Sequence, residues 1–145
     1  MEVIIGSDAE IIRKAQVIRN QVFTVEQGIP QELDLDGLDE TSHHLLMTDN
    51  DDLVATARLT PKQGGASVMA RVAVLKAYRG CGLASKIVEA LIEYANNQGI
   101  DSIEIHAHEY LKEFYERFGF SFVQQVEVVS EHQLIEMQYQ ASITQ

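Results

Sequence analysis

Cysteine is nearly absent from this 145-residue sequence, which contains a single one, Cys81. One thiol cannot form a disulfide within the chain, and a lone free cysteine is typical of proteins in a reducing compartment. The sequence also lacks an apolar run of about 18 residues, the length that a membrane-spanning helix needs. Its first six residues carry no basic segment and no long apolar stretch of the kind found in secretion signals. These absences predict a cytoplasmic protein with no membrane partner.

Acidic residues are missing from one internal stretch, residues 53–88, although the formal net charge of the whole chain is −11. The overall charge argues against nucleic acid as a partner, because binding a phosphate backbone requires a basic surface. A local excess of positive charge predicts an anion-binding site; the alternative is that strands are poor in acidic residues anyway. The cations of the acid-free stretch are Arg58, Lys62, Arg71, Lys76, Arg79 and Lys86.

Length and hydrophobic pattern predict one domain over residues 1–145. The apolar fraction of 46% is sufficient for one continuous core. Strand and helix signals follow one another in the order βα, βββ, αβα and ββ. This order predicts a mixed α/β fold, in which a mixed sheet carries helices on both faces. The predicted strands cover residues 3–5, 44–48, 53–59, 67–75, 103–107, 120–129 and 133–139.

The predicted helix after the first strand has clear start and end signals. Ser7 and Glu10 have the spacing of a capping box, and Gly28 is suited to end the helix. The acidic stretch 29–42 that follows is predicted to be irregular. The predicted core face of the helix consists of Ile11, Ala15, Ile18 and Val22.

The sequence also predicts which side chains share a face in one strand and where the last two strands are joined. In the strand predicted over residues 67–75, simple alternation puts Val68, Ala70, Val72 and Val74 on one face. Near the C-terminus, residues 130–132 are predicted to form the turn of an antiparallel pair.

A loop with two glycines, residues 79–84, lies between the predicted strand 67–75 and a predicted helix. Glycine lets the backbone bend sharply and bring its N–H groups close to a ligand. The start of a helix adds unpaired N–H groups and a partial positive charge. Such a loop is suited to bind phosphate, and the Arg79 side chain can add charge-assisted hydrogen bonds. Its sequence, Arg-Gly-Cys-Gly-Leu-Ala, matches the pattern Arg/Gln-x-x-Gly-x-Gly/Ala at each fixed position.

Two other phosphate-binding motifs fit this loop less well. A P-loop is excluded because no Gly-Lys-Ser/Thr sequence occurs. The dinucleotide-binding fingerprint is a near match at Gly80 and Gly82, but Ser85 stands where that motif requires its third glycine. In addition, residues 76–79 separate the first glycine from the strand that it should follow directly.

Three segments together resemble the GNAT family of N-acetyltransferases. The first is the strand and loop over residues 71–84, and the second is Phe-Tyr-Glu-Arg-Phe-Gly-Phe at residues 114–120. The third is Val-Phe-Thr-Val-Glu-Gln at residues 22–27, which with Asp39-Glu40 and His43-His44 is similar to the ElaA-like branch of the family. The resemblance covers nearly the whole chain.

The resemblance implies a splayed, mostly antiparallel mixed sheet of six or seven strands. It also implies an enzyme that transfers acetyl from acetyl-CoA, a co-substrate, directly to a primary amine of a small molecule or peptide. Acetyl-CoA would lie between the strands 67–75 and 103–107, and a homodimer stays open. The implied cofactor-binding residues are Val72, Ala73 and Val74 for the pantetheine arm, and Arg79, Gly80, Cys81, Gly82, Leu83 and Ala84 for the pyrophosphate.

Direct transfer requires an acid that protonates the departing thiolate and a base or water path that deprotonates the amine. The resemblance places Tyr115 beside the CoA sulfur as the general acid, whereas spacing alone favours a core position in a helical stripe. Glu26 lies where the resemblance puts the acceptor site and is one candidate base; the alternative is a solvated carboxylate at a helix end. His106, next to Glu104 on one strand face, is the other candidate; the alternative is a histidine satisfied by its neighbours.

The remaining signals leave several alternatives open. No metal is expected, because His43 and His44 point to opposite strand faces and His106 and His108 lack a thiolate partner. The acidic residues of segment 26–40 would favour a cationic amine if they lined the acceptor cleft, or else they serve solubility. Two rival functions are an acyl-CoA-binding sensor or regulatory module of the same fold, without catalysis, and a nucleotide- or NAD-binding domain.

Overall fold

The computed structural model describes residues 1–129 and 131–141, and it is built around one seven-stranded sheet. Each predicted strand is present, with ends that differ by a few residues. The first residue of the predicted turn between the last two strands, residue 130, lies outside the described residues. The strands are β1 (Glu2–Gly6), β2 (His43–Asp49), β3 (Asp52–Pro61), β4 (Ser67–Val74), β5 (Ser102–His108), β6 (Phe120–Val129) and β7 (His132–Gln140).

The strand order in the sheet is β1-β2-β3-β4-β5-β7-β6. Neighbouring strands are antiparallel except for β4 and β5, which run parallel. The last strand along the chain, β7, inserts between β5 and β6, so that β6 forms an edge. A mostly antiparallel mixed sheet of this size confirms the predicted fold class.

Helices cover both faces of the sheet, as predicted. On one face lies α1 (Ala9–Arg19), which continues as a π-helical segment, Asn20–Glu26. Its predicted core face is confirmed, since Ile11, Ala15, Ile18 and Val22 are all buried. The other face is covered by α3 (Leu83–Asn97) and the short α4 (Lys112–Glu116), which pack on β3, β5 and β7.

The start of α1 differs from the predicted capping box. The residue that caps the helix is Asp8, whose side chain accepts a hydrogen bond from the Ile11 N–H at 2.9 Å. Ser7 instead donates its hydroxyl hydrogen to the Ser42 carbonyl, and Glu10 pairs with Arg13. The spacing rule failed because a second suitable cap, an aspartate, directly follows the serine.

The stretch 29–42, predicted to be irregular, contains the one-turn helix α2 (Gln31–Asp34) and a 3-10 turn, Asp39–Thr41. Two of its acidic side chains, Asp34 and Asp39, are buried. Arginine partners, described below, explain both the order of this stretch and the burial of its charges.

The strand β4 is irregular at Arg71, where an extra residue bulges out of the ladder with β3. Thr56 lies opposite Ala73 and Arg58 opposite Ala70, so β4 carries one residue more than β3 between these pairs. Arg71 has φ = 55°, a left-handed conformation that is costly for a residue with a Cβ. The predicted common face of Val68, Ala70, Val72 and Val74 is therefore wrong, because a bulge exchanges the two faces of a strand. Met69 before the bulge and Val72 and Val74 after it all face the α3 side.

Within the described residues, no helix is both long and apolar enough to cross a membrane.

We expect Asp8→Ala to lower the free energy of unfolding by about 1 kcal/mol, because it removes the cap of α1. Chemical denaturation monitored by circular dichroism measures the change. Glu10→Ala is the control, since Glu10 makes only exposed contacts and its replacement should leave the midpoint nearly unchanged. A larger loss for Glu10→Ala than for Asp8→Ala would favour the capping box instead, because alanine cannot accept or donate the bond that this motif requires.

Candidate active site

A gap opens in the middle of the sheet between β4 and β5. Within the described residues these two strands pair only at Val68 opposite Glu104, near the start of β4. Beyond that point β4 bonds to β3 alone: the Leu75 N–H donates to the Val54 carbonyl at 2.9 Å. Because backbone groups alternate in direction along a strand, Val74 is turned toward the gap. Val72, Ala73 and Val74, predicted to bind pantetheine, thus lie in the stretch of β4 that borders the gap.

The predicted pyrophosphate loop lies at the end of β4 and leads into α3. Gly80 and Gly82 have φ values of 82° and 75°, which side chains other than glycine rarely adopt. Apart from each glycine and its chain neighbours, no atom of residues 1–129 and 131–141 lies within 4 Å of where a Cβ would stand, so the loop borders open space. The loop borders a hollow of about 160 Å³, which is lined by Val74, Tyr78, Arg79, Gly80, Gly82, Leu83 and Ala84.

The helix α3 begins at this hollow without a capping side chain. Gly82 occupies the cap position and, within the part of the chain that the structure describes, no side chain accepts from the first turn. The first N–H groups of a helix have no partner within the helix and favour an anion. The hollow therefore offers free donors to a phosphate. Cys81, in the same loop, is exposed.

The Arg79 side chain lies in a different environment from the predicted one. Its guanidinium forms a bidentate ion pair with Glu26, with both N–O distances at 2.9 Å. Its Nε–H donates to the Val74 carbonyl, also at 2.9 Å. Two predicted site residues that lie far apart in the sequence are thereby brought together. The Arg79 guanidinium is therefore already paired with Glu26. Two exposed lysines that flank the loop in the sequence, Lys76 and Lys86, form no ion pair among the described residues.

Tyr115 is buried, with 8% of its surface exposed, in the core between the sheet and α3. Its ring makes edge contacts with Phe114 and Phe120 at centroid distances of 5.0 and 5.5 Å. Burial raises the pKa of the Tyr115 hydroxyl, because it disfavours the phenolate. No hydrogen bond to this side chain occurs within residues 1–129 and 131–141. Tyr115 therefore occupies the core position that spacing predicted, and its hydroxyl keeps its proton there.

His106 lies on the opposite face of β5 from Tyr115. Its Nε2 is 2.9 Å from a carboxylate oxygen of Glu104, two residues earlier on the same strand. Glu136 on β7, which the register places opposite His106, completes a cluster whose ligand-type atoms all lie within 4.8 Å of one another. Sequence reasoning missed Glu136, because only the insertion of β7 beside β5 brings it to this face.

A network of arginine and aspartate side chains occupies the space between α1 and the bulge of β4. Arg19, which is almost fully buried, binds Asp34 at 3.0 Å and Asp39 at 2.8 Å. Arg58 binds Asp36 at 2.7 Å and Asp39 at 3.1 Å. Buried charges are tolerated when they are paired and hydrogen-bonded in this way. We refer to these residues, together with Arg71, as the arginine–aspartate network.

Arg71 at the bulge joins the same network. Its Nε lies 3.0 Å from Asp34, and its Nη2 lies 3.2 Å from Asp36. Half of the cations in the acid-free stretch, the three arginines, pair with carboxylates. Their partners come from the acidic segment 26–40, in which Glu26, Asp34, Asp36 and Asp39 all form ion pairs.

His44 adds a buried imidazole to this region. Its Nε2–H donates to the Asp39 carbonyl at 2.8 Å, and burial lowers its pKa. Hydrogen bonds from Arg19 hold the pKa of the Asp39 carboxyl below its usual range against the opposing effect of burial, and Arg58 does the same for Asp36. His43 faces the other way and bonds to the Tyr94 hydroxyl, so the two histidines do not share a site, as strand geometry predicted.

The sequence of this chain matches the acetyltransferase (GNAT) domain family over residues 8–141. The chain therefore belongs to the GNAT acetyltransferases, and within them it is ElaA-like. ElaA of Escherichia coli (strain K12) is 34% identical over 113 residues, which make up 75% of this chain and 74% of ElaA. The crystal structure of E. coli ElaA superposes with a TM-score of 0.85 and covers 96% of this chain and 99% of that one.

Two further relatives carry names that describe acyl transfer. The uncharacterized N-acetyltransferase YjcF of Bacillus subtilis (strain 168) is 28% identical over 127 residues, 88% of this chain and 90% of that protein. The crystal structure of an acyl-CoA N-acyltransferase from Pseudomonas aeruginosa has a TM-score of 0.84 at 28% identity, and it covers 95% of this chain and 98% of its own. The fold and family implied by the sequence are confirmed.

Lowering the pH is expected to destabilise the fold in two stages. Because burial lowers the pKa values of His43 and His44, the unfolded chain binds protons below pH 6.5 that the folded chain does not, and the free energy of unfolding falls. The pKa values of Asp36 and Asp39 lie below 3.8 in the folded chain, so their contribution is present above that pH and is lost as the pH falls further. Urea unfolding between about pH 8 and pH 2 measures the first stage and the onset of the second.

Asp36→Asn separates the two stages. This variant should lose about 1 kcal/mol at neutral pH, since Asp36 is partly exposed. Its stability should depend less on pH in the acid stage and should keep the stage due to His43 and His44. An acid stage identical to that of the unmodified chain would contradict the assignment.

Proposed function

We propose that this chain is an N-acetyltransferase, which moves an acetyl group from acetyl-CoA to a primary amine by direct attack in a ternary complex. The observation that carries the proposal is the open loop at residues 79–84, which presents backbone N–H groups beside a gap in the sheet. Membership of the GNAT family supports transfer from an acyl-CoA. The proposal includes a cytoplasmic location and a single domain over residues 1–145.

In the proposed complex, the thioester reaches the gap between β4 and β5, along Val72, Ala73 and Val74. The pyrophosphate binds to the N–H groups of residues 79–84. The amine nitrogen attacks the thioester carbonyl carbon, the tetrahedral intermediate collapses, and the C–S bond breaks. The products are the N-acetylated amine and CoA.

Two residues on opposite faces of β5 are proposed for the proton transfers. Tyr115 gives its phenolic proton to the departing thiolate, and its raised pKa keeps the hydroxyl protonated at neutral pH. His106 takes a proton from the amine on the open face, and Glu104 orients its ring, as carboxylates commonly do for a basic histidine. Glu26 is the second candidate base, and its carboxylate is paired with Arg79.

The decisive test measures CoA release from acetyl-CoA against a panel of primary amines. Amine-dependent release supports the enzyme. Binding of CoA without release by any amine would support the rival sensor or regulatory module. Thermal stabilisation by NAD but not by CoA would support the nucleotide-binding alternative instead.

Tyr115→Phe is expected to lower kcat by about 100-fold or more, because the leaving thiolate loses its proton donor. The KM for acetyl-CoA should change little, since the ring and its packing are retained. Tyr110→Phe is the control, because Tyr110 is exposed and lies outside the proposed machinery. Equal kcat values for Tyr115→Phe and the unmodified enzyme would remove Tyr115 from the mechanism.

A pocket beside the bulge of β4 is the proposed site for the acceptor. Its volume is about 210 Å³, and Phe23, Ile29, Leu33, Asp34 and Arg71 line it. Arg71 immediately precedes Val72, so the pocket adjoins the stretch of β4 along which the thioester is proposed to lie. An acceptor held here would have its amine close to that thioester.

The charges around this pocket favour an apolar acceptor over a polyamine. Asp34 and Asp36 are neutralised by arginine side chains, so they offer no free carboxylates to a second ammonium group. The remaining lining consists of the apolar Phe23, Ile29 and Leu33. We propose a primary amine that carries one small apolar or aromatic substituent.

A panel that contains phenethylamine and spermidine tests this preference, and we expect a higher kcat/KM for phenethylamine. Leu33→Ala should raise the KM for phenethylamine by about 3-fold to 10-fold, because one lining side chain is lost. Leu38→Ala is the matched control, since Leu38 is also exposed in the same segment but does not line the pocket. Preference for spermidine would overturn the proposed acceptor class and leave the transferase intact.

A further inference from the structure

The ion pair between Glu26 and Arg79 joins the two sides of the site. Glu26 is the last residue of the π-helical segment Asn20–Glu26, which contributes Phe23 to the acceptor pocket. Arg79 is the first residue of the pyrophosphate loop and also donates to the carbonyl of Val74 at the end of β4. One guanidinium, carried by the cofactor loop, therefore binds two other segments: the acceptor-side helix and the gap-lining strand.

The geometry of this contact is that of a specific pair. Both carboxylate oxygens of Glu26 accept from different guanidinium nitrogens of Arg79, each at 2.9 Å. Bidentate pairs fix orientation as well as distance. The two side chains are only partly exposed, 24% for Glu26 and 42% for Arg79. Water is thus excluded from part of the contact, although the pair is not buried.

We infer that Glu26 is a positioning residue: through Arg79 it holds the loop 79–84 in the conformation that binds the pyrophosphate. The inference rests on the proposed function only in taking CoA as the ligand of this loop. Ordering a loop with two glycines is entropically costly, because glycine has more backbone freedom to lose than any other residue. A loop that is ordered before the ligand arrives does not incur this cost on binding.

The same contact links the acceptor side to the cofactor side. CoA binding stabilises the loop conformation in which Arg79 pairs with Glu26, and this pair holds the π-helical segment, so CoA also stabilises the ordered acceptor pocket. By thermodynamic linkage, the acceptor then raises the affinity for CoA by the same factor. Glu26 thereby acts on transfer without touching the reacting atoms.

The test is a double-mutant cycle on the full chain, with Glu26→Gln, Arg79→Gln and the combined variant, and with CoA affinity measured by calorimetry. Each single variant should weaken CoA binding by about 2-fold to 5-fold, the range expected for a partly exposed pair. The combined variant should bind no more weakly than Arg79→Gln alone, because the contact is already lost. Glu32→Gln is the matched control, since it removes the same charge from a residue that makes no ion pair among the described residues, and it should bind CoA as the unmodified chain does.

Steady-state kinetics then distinguish positioning from a catalytic role for Glu26. For Glu26→Gln we expect a raised KM for acetyl-CoA, an unchanged kcat at saturation and an unchanged shape of the pH profile of kcat. A lowered kcat whose pH profile loses its acidic limb would identify Glu26 as the base and overturn the inference. Equal CoA affinity in all variants, or additive effects in the cycle, would also overturn it. If the unmodified chain binds no CoA, the proposed function falls as well, which is a distinct outcome.

Discussion

The bulge of β4 at Arg71 is the constraint on which the rest of this structure depends. One additional residue in the strand turns the Arg71 side chain toward Asp34 and Asp36, and it turns Val72 and Val74 toward the α3 side. The bulge lies in the stretch of β4 that borders the gap, since pairing with β5 within the described residues ends earlier, at Val68. The anchoring of the acidic segment and the place of the proposed acceptor pocket follow from this local irregularity. The left-handed backbone of Arg71 is costly, and the two ion pairs of its side chain help to offset that cost.

The electrostatic arrangement is consistent with the proposal that a chain with a net charge of −11 holds an anionic ligand. Four of its arginines, the three of the arginine–aspartate network and Arg79, face aspartates or Glu26, so they neutralise the acidic segment and do not form a basic surface. The proposed anion site would instead rely on backbone N–H groups and the start of α3, with exposed lysines close to it in the sequence. Dipoles of this kind act over short distances, so the rest of the surface can stay acidic.

The sequence predicted most of the fold and part of the site, and the differences have identifiable causes. Hydrophobic periodicity located the helices and strands, and the glycine pattern located the loop, because both signals are local. The alternation predicted for residues 67–75 failed because nothing local distinguishes a bulged arginine from one in a regular strand. The partners of Arg79 and His106, namely Glu26 and Glu136, depend on strand order and on the path of the acidic segment. Such pairings join residues that are distant along the chain, and neither spacing nor composition reports them.

The gap between β4 and β5 gives this sheet an edge in its interior. Unpaired edges at the periphery of a sheet invite another protein strand, whereas this edge faces β5 across the gap. An extended molecule with its own amide groups would bond to β4 here as a strand would. The proposed acyl-CoA would then be recognised through backbone groups, so this part of the contact would place few demands on the side chains of the strand.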